Sequence, residues 1–258
     1  MPLARRLTII AFMLISLGTL NSCSWLGKKD RDPLVDPMIS AAQLYDEASS
    51  ALQRGDYESA ITKYETLEGR YPFGAYTEQA QLEVAYAYLK FNEPDSAIAA
   101  ADRYIRLHPR GEHVDYALYL KGLANMSRGQ SLLTRLVKPD LAKRDKGVLE
   151  DGYRALSELV ERFPDSRYVD DASRRLLQLR NMLAERELYV ADYYMRRGAW
   201  LAAANRAQTV VERFDGAAVM PDALVLMVRA YERLGMEDLA GDARQVIELN
   251  FPDRLEQI

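Results

Sequence analysis

The sequence of 258 residues contains only one cysteine and two histidines. A single cysteine cannot form an internal disulfide, so the folded part must be stabilised by apolar packing. The histidines, His108 and His113, lie on either side of a Pro-Arg-Gly turn, which is the wrong spacing for two metal ligands on one helical face. No zinc pattern, nucleophile elbow or glycine-rich phosphate loop occurs in the sequence. These absences argue against catalysis and predict a protein that is not an enzyme.

Basic residues are also fewer than acidic residues. The 34 lysines and arginines are outnumbered by 38 aspartates and glutamates, which gives a formal net charge of −4. Nucleic-acid binding requires a basic surface that neutralises phosphates. The sequence therefore predicts no nucleic-acid partner.

The first 22 residues have the layout of a secretory signal peptide. Two arginines precede an uncharged apolar run, Leu7 to Leu20, which is shorter than the roughly 20 residues that a membrane-spanning helix needs. The residues Leu20-Asn21-Ser22-Cys23 resemble a bacterial lipobox, although asparagine departs mildly from the usual pattern. We predict that residues 1–22 are removed and that Cys23 carries acyl chains, more than one of which makes anchoring stable. The alternative is an ordinary signal peptide followed by an incidental cysteine.

The residues after Cys23 predict where the protein resides. Ser24 stands where lipoproteins retained in the inner membrane typically have aspartate, so the resemblance implies an outer-membrane location on the periplasmic face. Residues 23–37 mix charges with two prolines and show no apolar period, which predicts a lipidated tether. Apart from the covalent lipid, no cofactor is expected.

A five-residue motif recurs where helical periods end. It reads RYPFG, LHPRG, RFPDS, RFDGA and NFPDR, beginning at Arg70, Leu107, Arg162, Arg213 and Asn250. The residues before it fit a 34-residue frame with glycine near position 15, proline at 32 and small residues at 8 and 20. The small residues at position 20 are Ala60, Ala97, Ala203 and Ala240. This spacing lets paired helices pack closely and resembles that of tetratricopeptide (TPR) repeats. We predict an all-α TPR solenoid of five helix-turn-helix repeats.

Two irregularities divide the array into halves. The third repeat contains an insert, residues 128–146, with six basic and two acidic residues, which is either a solvated loop or a docking element for an acidic partner. Residues 168–197 contain neither glycine nor proline and predict one helix about 45 Å long. We assign repeats 1–3 to residues 38–164 and repeats 4 and 5 to residues 165–258.

The concave face of such a solenoid is lined mainly by the first helices of the repeats. In the N-terminal half the inward positions are apolar or aromatic, which is unfavourable unless a ligand covers them. We predict a peptide-binding groove formed by Tyr45, Leu82, Tyr86, Leu89, Tyr116, Tyr119 and Met126. In the C-terminal half the same positions are more polar, and we predict a partner-docking surface that includes Asp192, Arg196, Arg197, Arg229 and Arg233. The alternative is that curvature closes the N-terminal groove, or that its tyrosines belong to the core.

The sequence resembles the BamD family, lipoproteins of the β-barrel assembly machine. The features that carry the resemblance are the lipobox, the tether, the five repeats, the insert, the RYPFG motif and the RRGAW stretch at residues 196–200. The resemblance covers essentially the whole mature chain. It implies a scaffold whose N-terminal repeats bind the C-terminal targeting strand of substrate barrels. It also implies that the C-terminal repeats hold a POTRA domain of the barrel subunit, with Arg197 as one contact. The implied partners are that subunit, accessory lipoproteins and unfolded outer-membrane proteins.

Three other functions remain open from the residues alone. The first is a TPR pilotin lipoprotein that serves pilus or secretin assembly. The second is a structural scaffold of the envelope or the division site. The third is a helical lipoprotein that cleaves peptidoglycan, although the sequence lacks recognisable catalytic residues.

Overall fold

The computed structural model describes residues 39–128 and 146–257. The predicted signal peptide, the lipidation site Cys23, the tether and most of the insert lie outside the described residues. The described residues from Ala41 onward belong to one compact unit. The helices of this unit position both candidate sites.

The described part of the chain folds into ten α-helices followed by a short 3-10 helix, and it contains no strand. The first five are α1 (Ala41–Gln53), α2 (Tyr57–Arg70), α3 (Ala75–Lys90), α4 (Pro94–Leu107) and α5 (Val114–Ser127). The others are α6 (Lys146–Arg162), α7 (Val169–Arg196), α8 (Trp200–Arg213), α9 (Met220–Leu234) and α10 (Glu237–Asn250), with the 3-10 helix at Pro252–Gln257.

Each helix packs against the next one in the sequence, so the ten helices form five helix-turn-helix repeats. First helices of neighbouring repeats also touch, α1 with α3, α3 with α5 and α7 with α9. Contacts restricted to near neighbours are the signature of a solenoid. The predicted TPR solenoid is therefore confirmed.

The recurring motif ends the second helix of every repeat. Helices α2, α4, α6, α8 and α10 each end on the first residue of the motif, and the next residue donates its backbone N–H to the carbonyl four positions back. In the first repeat, for example, the nitrogen of Tyr71 lies 2.8 Å from the oxygen of Leu67. In four of the five copies a proline follows, and because proline lacks an N–H, the helix cannot continue.

The turns inside the repeats explain the glycines of the frame. Gly55, Gly198 and Gly235 have φ angles of 78°, 73° and 71°, a left-handed conformation that glycine adopts without steric cost. The second repeat has Asn92 at the equivalent position, with φ of 65°. Asparagine is one of the few other residues that tolerate this conformation. The second repeat thus keeps the turn without the glycine.

Small side chains bring the paired helices together as the spacing predicts. The four alanines at position 20 are completely buried. In the third repeat, Gly122 of α5 lies so close to α6 that a Cβ atom there would be 2.4 Å from Cδ2 of Leu156. Helix pairs of this kind exclude larger residues at their contact points.

Helix α7 is 28 residues long, which corresponds to about 42 Å, and confirms the predicted long helix. It contacts α6, α8 and α9. One cluster of buried apolar residues runs past it from Leu82 in the second repeat to Leu226 in the fifth. Packing therefore continues across the boundary between the two predicted halves. None of the described helices is long and apolar enough to cross a membrane.

A buried carboxylate ties three helices together at this boundary. Glu187 of α7 is only 3% exposed, and its two oxygens lie 2.9 Å from Nζ of Lys146 and 2.9 Å from Nη1 of Arg206. Burial raises the pKa of Glu187, but the hydrogen bonds from Lys146 and Arg206 outweigh it and hold the pKa below its usual range. The ionised carboxylate thus joins α6, α7 and α8.

Candidate functional site

A cavity of about 770 Å³, which we call the N-terminal cavity, opens between the first turns of α3 and α5 and the loop before α7. Its apolar and aromatic lining residues are Ala75, Leu82, Tyr116 and Tyr168. Five carboxylates also line it, those of Glu78, Glu83, Glu112, Asp115 and Asp165. The only basic side chains in its lining are Arg167 and His113. The cavity therefore combines tyrosine rings with a strongly acidic wall.

The carboxylates of the N-terminal cavity have few cationic partners among the described residues. Within residues 39–128 and 146–257, none of the five forms a salt bridge with lysine or arginine. The nearest candidate is His108, whose Nδ1 lies 4.0 Å from Glu78. Glu112 and Asp165 are exposed to solvent. A positively charged ligand would thus meet unpaired carboxylates here.

Tyrosine hydroxyls hold one of these carboxylates in place. Tyr45 of α1 donates its hydroxyl to Glu83 at 2.6 Å, and Tyr64 of α2 donates to the other oxygen. Gln79 donates to Glu83 at 3.1 Å. Burial and the neighbouring carboxylate raise the pKa of both tyrosines, so they remain protonated donors. Three helices thereby fix the orientation of Glu83 at the cavity wall.

Tyr168, in the turn that leads into α7, was not predicted to line this groove. Its ring stacks on Tyr116 with centroids 5.2 Å apart and on Tyr119 with centroids 4.8 Å apart. Tyr119 also donates its hydroxyl to Asp171 of α7 at 2.7 Å. Because the repeat frame places only first-helix positions, a loop tyrosine cannot be recognised from it. Tyr116 and Tyr119 therefore have part of their aromatic surface covered by the following repeat.

The structure brings two of the seven predicted peptide-binding residues into the cavity lining, Leu82 and Tyr116. Leu82 is only 4% exposed and belongs mainly to the core. Tyr45 reaches the cavity through its hydrogen bond to Glu83. The other four, Tyr86, Leu89, Tyr119 and Met126, are half-buried and lie outside the lining. The N-terminal cavity therefore overlaps the predicted groove only in part, and carboxylates and a loop form much of its wall.

A second cavity of about 490 Å³, the C-terminal cavity, lies between α7 and α9. Its apolar and aromatic lining residues are Leu188, Tyr189, Met195, Val219, Val225 and Leu226. Its charged lining residues are Glu185, Asp192, Asp222 and Arg229. This wall therefore combines charged and apolar side chains, and Tyr189, Val219 and Leu226 are not among the predicted docking residues.

The five predicted docking residues fall into two groups. Asp192 and Arg229 line the C-terminal cavity, and Arg196 pairs with Asp192 from one turn further along α7. Arg197 and Arg233 lie outside the lining. The Arg197 guanidinium is 5.3 Å from the ring centre of Tyr193, and that of Arg233 is 5.5 Å from the ring centre of Trp200. These two cation–π pairs lie where α7 and α9 end, on the same edge of the solenoid.

No group of three or more His, Cys, Asp and Glu side chains that could hold a metal ion occurs in the described part of the chain. His108 is used structurally, with Nε2 at 3.0 Å from Oε1 of Gln81. The fold defines the class of the protein, a TPR-type helical-repeat protein.

Comparison with known proteins gives the family. The family described as "YfiO: Outer membrane lipoprotein" matches residues 37–246. A relative from Neisseria meningitidis serogroup A is 42% identical over 239 residues, which cover 92% of this chain and 90% of the relative. A relative from Vibrio cholerae is 38% identical over 237 residues, covering 92% and 96%. Both carry the name "Outer membrane protein assembly factor BamD", the name of an assembly factor and not of an enzyme. The chain belongs to this family, and the resemblance found in the sequence is confirmed.

Solved structures of other TPR proteins are more distant. The TPR domain of P58(IPK) is 14% identical, with coverage of 81% of this chain and 51% of that chain and a TM-score of 0.43. PilW, a type IV pilus biogenesis factor, is 14% identical, with coverage of 86% and 81% and a TM-score of 0.35. Likeness at this level decides nothing about function.

Proposed function

We propose that this chain is a lipid-anchored, non-enzymatic scaffold for the assembly of outer-membrane β-barrel proteins. The names of the curated relatives support this role, because those relatives match more than nine-tenths of the chain. Acylation of Cys23 and a position on the periplasmic face of the outer membrane belong to the same proposal. A barrel subunit, accessory lipoproteins and unfolded barrel proteins are the proposed partners.

The N-terminal cavity is the proposed site for the C-terminal targeting strand of an unfolded barrel. Tyr116 and Tyr168 offer aromatic surface to a strand that carries an aromatic residue. The unpaired carboxylates favour a strand that also carries lysine or arginine. This cavity therefore suits an extended segment with alternating aromatic and basic side chains.

The C-terminal cavity is the proposed docking site for a POTRA domain of the barrel subunit. Its aliphatic floor can bury apolar side chains of a folded partner, and its charged rim can fix orientation. Arg197 and Arg233 extend this surface along the adjoining edge. Arginines held against aromatic rings are well suited to carboxylates on the partner.

The observation that carries the proposal is the placement of two chemically different cavities at opposite ends of α7. Tyr168 precedes this helix and lines one cavity, whereas Tyr189 lines the other. The two residues are separated by 21 positions, or about 30 Å along the helix. A rigid connector of this length allows two polypeptides to bind at once without touching each other.

Affinity purification from detergent-solubilised envelopes tests this function. We expect barrel-assembly subunits and unfolded outer-membrane proteins to dominate the material that elutes with the chain. A Cys23→Ser variant should lose its membrane anchor and keep these partners. Predominant recovery of a secretin or pilus subunits, or of wall-associated and division proteins, would contradict the proposal.

A further inference from the structure

Two loops on one edge of the solenoid expose apolar side chains to solvent. Phe73, in the loop between α2 and α3, is 90% exposed, and Leu107, at the end of α4, is 57% exposed. We call residues 71–76 and 106–111 together the loop edge. Single exposed apolar residues are common, whereas several exposed together can mark an interaction site.

The loop edge is held rigidly, and its two loops lie side by side. Thr77 of α3, which is 3% exposed, donates its hydroxyl to the carbonyl of Tyr71 in the first loop. Gln81, which is 6% exposed and one turn further along α3, contacts His108 in the second loop. Residues four apart on a helix are direct neighbours on its surface. Two buried polar side chains on α3 therefore hold the two loops on neighbouring turns of the same helix.

Basic side chains accompany the apolar ones. Arg106 and Arg110 lie on either side of Leu107, and both are exposed. Neither has an ion-pair partner among the residues that the structure describes. Of the carboxylates nearest in sequence, Asp102 pairs with Lys121 and Glu112 lines the N-terminal cavity. The loop edge thus presents apolar and cationic groups together.

The chain enters the folded part at this same edge. Helix α1 begins at Ala41, and the ring of Tyr45, one turn later, lies 5.5 Å from the ring of Tyr76 in the loop edge. Ala41 is eighteen residues beyond Cys23, a distance that an extended chain can span to at most about 60 Å. A lipid anchor on Cys23 would therefore tether the solenoid to the bilayer from the loop edge.

We propose that the loop edge is a contact surface for the phospholipid bilayer that holds the anchor. Phe73 and Leu107 lie at the boundary between headgroups and acyl chains, and Arg106 and Arg110 contact headgroup phosphates. A protruding aromatic residue on one loop, with arginines on the neighbouring loop, fits a bilayer better than it fits a concave protein site. The inference goes beyond the proposed function and uses the Cys23 anchor only to bring the edge near the membrane.

The test uses the lipidated full chain in vesicles of phosphatidylethanolamine and phosphatidylglycerol. Because Cys23 is the only natural cysteine and would be acylated, a Phe73→Cys variant can be labelled at one site with an environment-sensitive dye. Phe91→Cys is the matched control, since Phe91 is 42% exposed and follows α3 at the opposite edge. We expect blue-shifted emission at position 73 that is quenched by a bilayer-embedded quencher, with no such response at position 91.

Equal responses at the two positions would overturn the proposal. It would also be overturned if the dye at position 73 responded only to a second copy of the chain or to the barrel subunit without vesicles. Labelling of the parent chain would show instead that Cys23 is free, which contradicts the proposed anchor. The comparison is then made in a Cys23→Ser chain, where it still decides the role of the loop edge.

A second measurement does not depend on a dye. Flotation of the Cys23→Ser chain with the same vesicles should become about tenfold weaker in a Phe73→Ser variant, because a buried aromatic side chain is lost from the bilayer. Phe91→Ser should leave flotation unchanged. Replacing Arg106 and Arg110 with glutamine should weaken flotation only with vesicles that contain the anionic lipid. Unchanged flotation of both variants would contradict a bilayer contact.

Discussion

The N-terminal and C-terminal cavities occupy corresponding places on the inner layer, yet their chemistry differs. The first has an acidic wall with stacked tyrosines, whereas the second has an aliphatic floor with charges at its rim. In the first, Glu83 is held by tyrosine hydroxyls; in the second, Asp192 and Asp222 pair with arginines. One repeat architecture therefore provides two recognition surfaces, and the difference lies in the side chains and loops added to it.

The largest effect should come from the close packing behind the N-terminal cavity. A Gly122→Ala substitution places a methyl group against the buried side chain of Leu156, and we expect a loss of about 2 kcal/mol in the free energy of unfolding. Gly241→Ala is the control, because a Cβ atom on this glycine of α10 meets nothing within 4 Å. It should stabilise the protein by about 0.5–1 kcal/mol. Chemical denaturation measures both, and equal effects would show that α5 and α6 are not closely packed.

The next effect concerns the C-terminal cavity alone. Tyr189 lines it and is 53% exposed, so Tyr189→Ser should fold normally and weaken binding of the barrel subunit by about tenfold. Binding of a targeting-strand peptide at the other cavity should not change. Tyr153→Ser on α6 is the control, since this tyrosine is exposed and lines neither cavity. Calorimetric titration with each partner checks the result, and loss of peptide binding would break the proposed separation.

The contribution of Asp171, which accepts a hydrogen bond from the tyrosine stack beside the N-terminal cavity, to the free energy of unfolding should depend on pH. Hydrogen bonds from Arg175 and Tyr119 outweigh burial and lower the pKa of Asp171 to about 2. Since the pKa is lower in the folded state, this stabilisation is present above the unfolded-state pKa near 4 and is lost as the pH falls toward 2. Asp171→Asn should cost about 1 kcal/mol at pH 7 after allowance for solvent exposure. The difference from the parent should shrink steadily as the pH falls from 4 toward 2, and a constant difference would contradict this account.

The smallest effect tests the acidic wall. Replacing Glu112 with glutamine and Asp165 with asparagine removes two exposed, unpaired carboxylates from the N-terminal cavity. Binding of a peptide that carries lysine or arginine should weaken about threefold and should depend less on salt. Barrel-subunit binding should stay the same. If a neutral peptide lost as much affinity as the basic one, the wall would not select for charge.

Much of the fold follows from the sequence because the constraints are local. The recurring motif marks helix ends, and the run without glycine or proline marks α7. Ala60, Ala97, Ala203 and Ala240 are buried as their spacing requires. The second repeat shows how one residue can replace another, since Asn92 adopts the left-handed turn that glycine adopts elsewhere.

The candidate sites are less predictable because non-local contacts build them. Tyr168 is a turn residue, and only the folded chain places it against Tyr116 and Tyr119. In the sequence, Glu187 looks like any helical glutamate. Its ion pairs with Lys146 and Arg206 form only in the folded chain. A repeat frame identifies the helices that form the inner layer, but it does not indicate which loops complete each cavity.

The central claim is that the two cavities bind different polypeptides. Site-specific photocrosslinking in cells tests it most directly, with a photoreactive amino acid in place of Gln79 in the N-terminal cavity or of Tyr189 in the C-terminal cavity. We predict crosslinks from position 79 to unfolded outer-membrane proteins and from position 189 to the barrel subunit. The same set of crosslinked partners at both positions would contradict the claim.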